Sequence, residues 1–329
     1  MKKHTEARLE DAIVAHLSTE GGYTMVDYRQ GEAKDRYDRE RALDPALVLG
    51  FIQATQGKLW QGLQAIHGDD TGRIVLDHLV KELDTKGVLK VLRQGFKCYG
   101  KTLRVAVFAP GNALNPQTLA LYAQNQLTVT RQLYYSTAHS KSLDLVLMLN
   151  GLPVVTAELK NALSGQTVEH AKAQYKKDRD ARELIFEFKK RALVHFAVDT
   201  DQAWMTTRLS GDKTTFLPFN LGHHGHAGNP PAEDGGHRTA YLWREVWQRE
   251  SLLDILGRFV HLQVEEKRIL TDEGIKKITK ETMVFPRYHQ LDAVRQMVGH
   301  AQRHGPGHNY LVQHSAGSGK SNSIAWLAH

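Results

Sequence analysis

The sequence predicts an α/β protein, a β-sheet flanked by helices and followed by the start of a second unit. Three observations carry this. Two apolar runs, residues 143–149 (LDLVLML) and 153–159 (PVVTAEL), flank Asn150-Gly151-Leu152, and Asn-Gly between such runs is a strong hairpin signal. Stretches with helical spacing lie on both sides of that hairpin. Near the carboxyl end an apolar run, Tyr310 to Gln313, enters a glycine-rich turn and then a helical pattern from about Lys320.

In chain order, residues 5–18 place Leu9, Ile13 and Leu17 at helical spacing, with Glu6 and Glu10 on or beside that face. Residues 32–40 are densely charged and read as a solvated helix or loop. Helical patterns follow at about 45–67, 72–85 and 88–94. A strand is expected at 102–109 (TLRVAVFA), a helix at 116–124, a strand at 127–136, the hairpin, a helix at 166–183, and strands at 193–199 and 203–208. Gly, Pro, Asn and His then accumulate over 209–240, marking a surface loop. Its His223, His224 and His226 have no Cys or acid at recognised ligand spacing, so a metal site is not expected there. An amphipathic helical region spans YLWREVWQRESLLDILGRFVHL, and about 272–283 reads as a connector. The division expected is 1–210, 211–284 and 285–329, with the boundary between 210 and 285.

Composition agrees with a soluble, cytoplasmic protein of about two domains. The chain has 329 residues, 41% of them hydrophobic, enough for real cores. A formal net charge of +7 favours a polyanionic partner. The lone Cys98 cannot form an intramolecular disulfide, and no run reaches membrane-spanning length. MKKHTEARLEDAIVAHL carries acids where a secretory leader needs an apolar core.

The hairpin carries the chemistry. Asp144, Glu158 and Lys160 form a D-x(13)-E-x-K pattern inside an otherwise apolar segment. A two-residue loop would pair Leu149 with Leu152 and set Asp144 opposite Ala157. A three-residue loop, with Gly151 at positive φ, would pair Leu149 with Pro153 and bring Asp144 across from Glu158, and this is the register expected. Lys160, two residues on, shares the Glu158 face. Two carboxylates and an ammonium are expensive to bury unless they are paired or bind a metal, and Mg²⁺ takes carboxylate oxygens while keeping several waters. In that reading Lys160 orients the attacking water and offsets phosphate charge. The pattern alone also fits a solvated Glu–Lys pair at a strand end. Upstream, Arg131, Gln132 and Tyr134 are candidates for DNA phosphate contact, with β-propensity the other account of the tyrosines.

SLDLVLMLNGLPVVTAELKN resembles the active-site segment of the PD-(D/E)xK nucleases, and within them the endonuclease (R) subunit of type I restriction enzymes. The resemblance implies a restriction-endonuclease-like mixed β-sheet core and a metal site at Asp144 and Glu158. GQTVEHAKAQYKKDRD resembles the helix after the active-site strand, where relatives carry Gln-x-x-x-Tyr. Here Gln174 and Tyr175 are adjacent, and both are retained as candidates beside the alternative of a solvated basic face formed by Lys172, Lys176, Lys177 and Arg179. In related nucleases a helix before the core often adds an acid. Glu10 is the candidate here, with Glu6 next; either also fits a solvated helix acid.

The second motif is HSAGSGKS, residues 314–321. Backbone N–H groups around Gly317 and Gly319 would cradle phosphates, Lys320 would reach the β and γ phosphates, and Ser321 would bind Mg²⁺. His314 stands where the strict pattern has glycine, and Ser315, Ala316 and Ser318 complete the loop. The loop resembles that of the superfamily 2 helicase motors in type I R subunits, which implies the beginning of a RecA-like lobe and ATP as ligand. FPRYHQLDAV places Arg287 and Gln290 about one Q-motif distance upstream, where by resemblance they contact adenine; a helix cap and a surface glutamine are the other account. The acidic motif, later motifs and second lobe of such a motor do not follow. The expectation is therefore the amino-terminal portion of a larger R subunit that does not itself hydrolyse ATP. The whole enzyme would cleave double-stranded DNA with Mg²⁺, driven by ATP-dependent translocation and partnered by methyltransferase and specificity subunits. The other readings are a non-catalytic docking module for the methyltransferase core and a P-loop nucleotide switch.

Overall fold

A computed structural model describes residues 3–111, 114–161, 165–232, 235–271, 274–315 and 317–328; for residues 3–8, 267–271 and 274–276 it describes the backbone alone. The amino-terminal helix α1 (Lys3–Thr19) buries Leu9, Ile13 and Leu17 completely, as their spacing predicts. After the short strand β1 (Tyr23–Met25) come four helices, α2 (Pro45–Thr55), α3 (Gly57–His67), α4 (Thr71–Lys86) and α5 (Val88–Gln94). Asp44 starts α2 by accepting hydrogen bonds from the backbone N–H groups of Ala46 at 3.0 Å and Leu47 at 3.2 Å, with Pro45 in the first turn.

The expected strand at 102–109 is a correction. Only β3 (Lys101–Leu103) forms there, paired with β2 (Phe96–Cys98) in a ribbon outside the main sheet. Beyond it, side-chain amides stand in for a ladder. Asn125 Nδ2 donates to the Val107 carbonyl at 2.5 Å and Asn150 Nδ2 to the Val105 carbonyl at 2.8 Å.

The main sheet follows helix α6 (Pro116–Ala123). Its strands are β4 (Leu127–Tyr134), β5 (Ser142–Leu149), β6 (Leu152–Leu159), β7 (Val194–Val198), β8 (Ala203–Thr206) and β9 (Leu217–Pro218), with β1 at the far edge. The order is β1-β4-β5-β6-β7-β8-β9, with β1/β4 and β6/β7 parallel and the other pairs antiparallel. This is a mixed seven-stranded sheet flanked by helices. Its centre reads as near-continuous apolar sequence because β6 and β7 are buried along their whole length. The helix expected over 166–183 is shorter, α7 (Val168–Lys177), because the following turns carry Arg179 back under the sheet.

Residues 241–260 complete the core as two π-helical turns, Leu242–Val246 and Ile255–Phe259, around α8 (Arg249–Asp254). Trp247 is fully buried against Phe196 of β7, ring centroids 5.4 Å apart. This segment clasps the end of α1: Tyr23 Oη donates to the Trp247 carbonyl at 2.6 Å, and Arg249 N–H to the Gly21 carbonyl at 2.9 Å. The expected connector at 272–283 is instead part of a long antiparallel ribbon, β10 (His261–Thr271) and β11 (Gly274–Val284). Helix α9 (Tyr288–His304) follows, and Arg295 joins it to α8 through Asp254 at 3.0 Å. The strand expected at Tyr310 to Gln313 does not form: no neighbouring strand pairs with it among the described residues, and Leu311 is 94% exposed. Helix α10 (Lys320–Ala328) begins where the sequence predicts.

Candidate active site

The turn between β5 and β6 is tighter than expected. Asn150 (φ 49°) and Gly151 (φ 84°) form a two-residue loop that pairs Leu149 with Leu152, which corrects the three-residue expectation. By that register Asp144 would face Ala157. A β-bulge changes the count: pairing passes from Met148↔Pro153 to Leu147↔Val155, so Val154 is the extra residue, and Leu145 then pairs with Ala157. One step further along the same register, Asp144 stands opposite Glu158. The turn itself is buried. Asn150 Oδ1 accepts from the Gln126 N–H at 2.7 Å, and the Gly151 carbonyl accepts from the Asp44 N–H at 2.9 Å, which fixes the hairpin against α2.

Glu158 is fully buried. Arg179 donates to its Oε1 through Nε and Nη2, each at 2.6 Å, and Nη2 also donates to the Ser142 carbonyl at 2.6 Å. Glu158 Oε2 has no hydrogen-bond donor among the described residues. Burial, and then the Asp144 carboxylate beside it, push the Glu158 carboxyl well above the usual range, against the pull of Arg179. Asp144 is held at both oxygens. Oδ2 accepts from the Leu159 N–H at 2.8 Å, and Oδ1 from Gln132 Nε2 at 3.2 Å. Lys160 Nζ lies 3.8 Å from Asp144 Oδ2 and donates to the Leu159 carbonyl at 3.0 Å.

Glu10 reaches this group from α1. Its Oε2 accepts from Gln132 Nε2 at 3.5 Å, and Arg131 Nε stands 3.8 Å from its Oε1. Burial first, and the Asp144 charge second, raise the Glu10 carboxyl to about 7. The side chain of Glu6 lies outside those described. Glu10, Asp144, Glu158 and Lys160 are therefore brought together. Tyr175 lies beneath them, fully buried, its hydroxyl 2.8 Å from Thr156 Oγ1, which in turn is 2.8 Å from His195 Nδ1. Gln174 is half-buried on α7, and its carbonyl accepts the N–H that ends the helix. Arg179 is the residue that sequence reading missed, naming it only in the alternative of a solvated basic face. Its burial follows from a partner 21 residues away, which no local pattern signals.

Among the described residues no three His, Cys, Asp or Glu side chains form a ready-made metal cage. The donor set still suits a hard cation, since Mg²⁺ is commonly bound through one or two carboxylates with water completing its shell. The orphaned Glu158 Oε2 is a buried acceptor that such a cation would satisfy.

The second motif is a loop with Gly317 (φ 73°) and Gly319 (φ 82°) in left-handed conformation. Lys320 Nζ donates to the carbonyls of His314 at 3.1 Å and Ser315 at 3.0 Å, and Ser321 is exposed. Gln290 is buried and donates to the Gly319 carbonyl at 2.8 Å, while its Oε1 accepts from the Arg287 N–H at 2.9 Å. The neighbouring His289 Nε2 lies 3.1 Å from the Ser318 carbonyl. Arg287, Gln290, Ser318 and Gly319 line one cavity of about 250 Å³ with Met205 and Phe285. Ala316 lies outside the described residues.

Residues 3–214 match the family model described as type I restriction enzyme R protein N terminus. The chain belongs to that family. The matched span holds every residue of the acid cluster and stops short of the phosphate loop. Membership in this R protein family supports a restriction role and an endonuclease assignment, with DNA and the restriction-modification complex as implied partners. A comparison with curated proteins returns no match. No helix among the described residues is long and apolar enough to cross a membrane.

Proposed function

We propose that this chain is the DNA-cleaving portion of a type I restriction enzyme, hydrolysing phosphodiester bonds of double-stranded DNA with Mg²⁺. The observation that carries the reading is the bulge at Val154, which sets Asp144 across from Glu158, whose buried Oε2 meets no donor among the described residues. Asp144 and Glu158 would hold the metal, with Glu10 adding charge beside them. Bound there, Mg²⁺ supplies Lewis acidity toward the phosphodiester and lowers the pKa of water. Lys160 is tethered to Asp144 at the site, where its ammonium orients the attacking water and offsets phosphate charge. Arg179 keeps Glu158 Oε1 engaged, so that carboxylate has a single oxygen to offer. The phosphate loop is the ATP site of the full enzyme in this reading, with Arg287 and Gln290 against the nucleotide. Translocation, a methyltransferase subunit and a specificity subunit belong to that assembly.

Supercoiled plasmid incubated with the chain and Mg²⁺ tests the nuclease. The parent should nick and linearise it, and Asp144→Ala and Lys160→Ala should each be slower by about a hundredfold or more. Equal cleavage by parent and variants, or none by the parent with Mg²⁺ or Mn²⁺, overturns the proposal.

A further inference from the structure

β4 contains a conformational anomaly at the rim of the acid cluster. Gln132 has φ 50°, although it is neither glycine nor asparagine and sits inside a strand rather than in a turn. Left-handed backbone is disfavoured for such a residue and persists where the surroundings impose it, typically at functional sites. The β4/β5 pairing runs through Arg131↔Leu145 and resumes at Leu133↔Leu143, passing over Gln132 and Asp144.

What the distortion achieves is visible in the side chain. Gln132 Nε2 donates to Asp144 Oδ1 at 3.2 Å and to Glu10 Oε2 at 3.5 Å. Its Oε1 accepts from Ser142 Oγ at 2.8 Å, which fixes the end of the amide that carries the N–H groups. One neutral amide thus bridges acids from two elements, 122 residues from Glu10 and 12 from Asp144. The choice of an amide is chemically informative. Arg131 and Lys160 already stand 3.8 Å from Glu10 and Asp144; a further lysine or arginine here would cancel more of the charge a cation needs, whereas glutamine joins the two acids without adding positive charge.

We propose that Gln132 is a positioning residue that holds Glu10 of α1 against Asp144, so that the helix acid adds its charge to a divalent-cation site on Asp144 and Glu158. This rests on the metal-dependent nuclease reading above. Ser142 acts through Gln132 by orienting the amide.

The test uses the full chain, with Mn²⁺ alone as the binding probe by isothermal titration calorimetry, beside plasmid cleavage across Mg²⁺ concentrations and thermal unfolding. Gln132→Met keeps length without the amide. Gln132→Gly removes the side chain while accepting the backbone conformation without strain. Both should bind Mn²⁺ about tenfold to a hundredfold more weakly, as loss of an outer-shell partner does. The Mg²⁺ needed for half-maximal cleavage should rise by the same factor and saturating Mg²⁺ should restore the rate, with Gln132→Gly melting no lower than the parent. Parent-like Mn²⁺ affinity in both variants overturns the positioning role, as does an affinity loss accompanied in both by a matching fall in melting temperature. A parent that binds no Mn²⁺ and cuts no DNA removes the nuclease reading and this proposal together. A parent that binds and cuts while the variants match it removes this proposal alone.

Discussion

Replacing Arg179 with methionine tests how the buried charge under the site is balanced. Arg179 is 3% exposed and Glu158 0%, and the guanidinium makes two contacts of 2.6 Å to one carboxylate oxygen and a third to the Ser142 carbonyl. Removing it strands a carboxylate in a site whose remaining neighbour, Asp144, is also an acid. Breaking such a pair from one side costs about 3–5 kcal/mol, mostly because the remaining charge is left uncompensated. At roughly 2–4 °C per kcal/mol for a domain of this size, the melting temperature should fall by about 10 °C. The sign with pH follows from Glu158, whose carboxyl is already raised by burial and Asp144 and rises further without Arg179. A raised carboxyl favours folding below its unfolded pKa, and that contribution is lost as pH climbs through the folded value. The variant's deficit should therefore be largest at alkaline pH and shrink on acidification through the interval between the parent's raised Glu158 value and the variant's still higher one. Urea unfolding in EDTA, followed by tryptophan fluorescence with the buried Trp247 as a reporter, measures both. Arg179→Met/Glu158→Gln should recover at least about 1 kcal/mol of the summed single losses, since the pair is in direct contact. A loss under about 1 kcal/mol at high pH, or a deficit that does not shrink on acidification, would refute the reasoning.

Two further substitutions probe the frame. Gly151→Ala places a Cβ 2.6 Å from the Asp44 carbonyl oxygen at φ +84°, so it should cost more than about 2 kcal/mol. Gly100→Ala is its control, at φ +74° with nothing within 4 Å among the described residues, and should lose only the conformational share; equal losses in thermal melts would dismiss the α2 contact as the cause. Glu10→Gln, measured in EDTA, should be more stable than the parent near pH 8, with the gain fading toward about pH 5, because the parent carboxyl is held up to about 7 and must ionise in the fold. The gain is at most about 3 kcal/mol, less where water reaches the carboxylate, and a difference that grows on acidification would contradict the assignment.

The hairpin was legible because Asn-Gly sits between two apolar runs, and α1 because Leu9, Ile13 and Leu17 repeat at helical spacing. What brings Asp144 to Glu158 was not: Val154 is one more apolar residue in an apolar strand, and a bulge there leaves no mark in composition. Val105 and Val107 alternate like strand residues, yet their carbonyls bond to Asn150 and Asn125 amides, a competition only tertiary structure decides. β10 and β11 were missed because their charges mask the alternation and a connector needs no pattern. Arg179 looked solvated beside three lysines, since burial of a charge depends on its distant partner. At the phosphate loop the glycines and helix start were readable, while the absent strand at Tyr310 was not, because an apolar run signals strand only where a neighbour pairs with it.

The clasp around α1 has a mechanical consequence. The family match ends at residue 214, but Trp247 and the carbonyl that anchors Tyr23 lie beyond it. Cutting the chain at that boundary would keep every acid of the site and remove the bracket that holds the helix bearing Glu10. The same bracket forms a load path. A pull on α9 passes through Arg295 to Asp254, along α8 to Arg249, and from Arg249 to Gly21 at the foot of α1, so tension can reach the acid cluster through its one helical member as well as through the sheet.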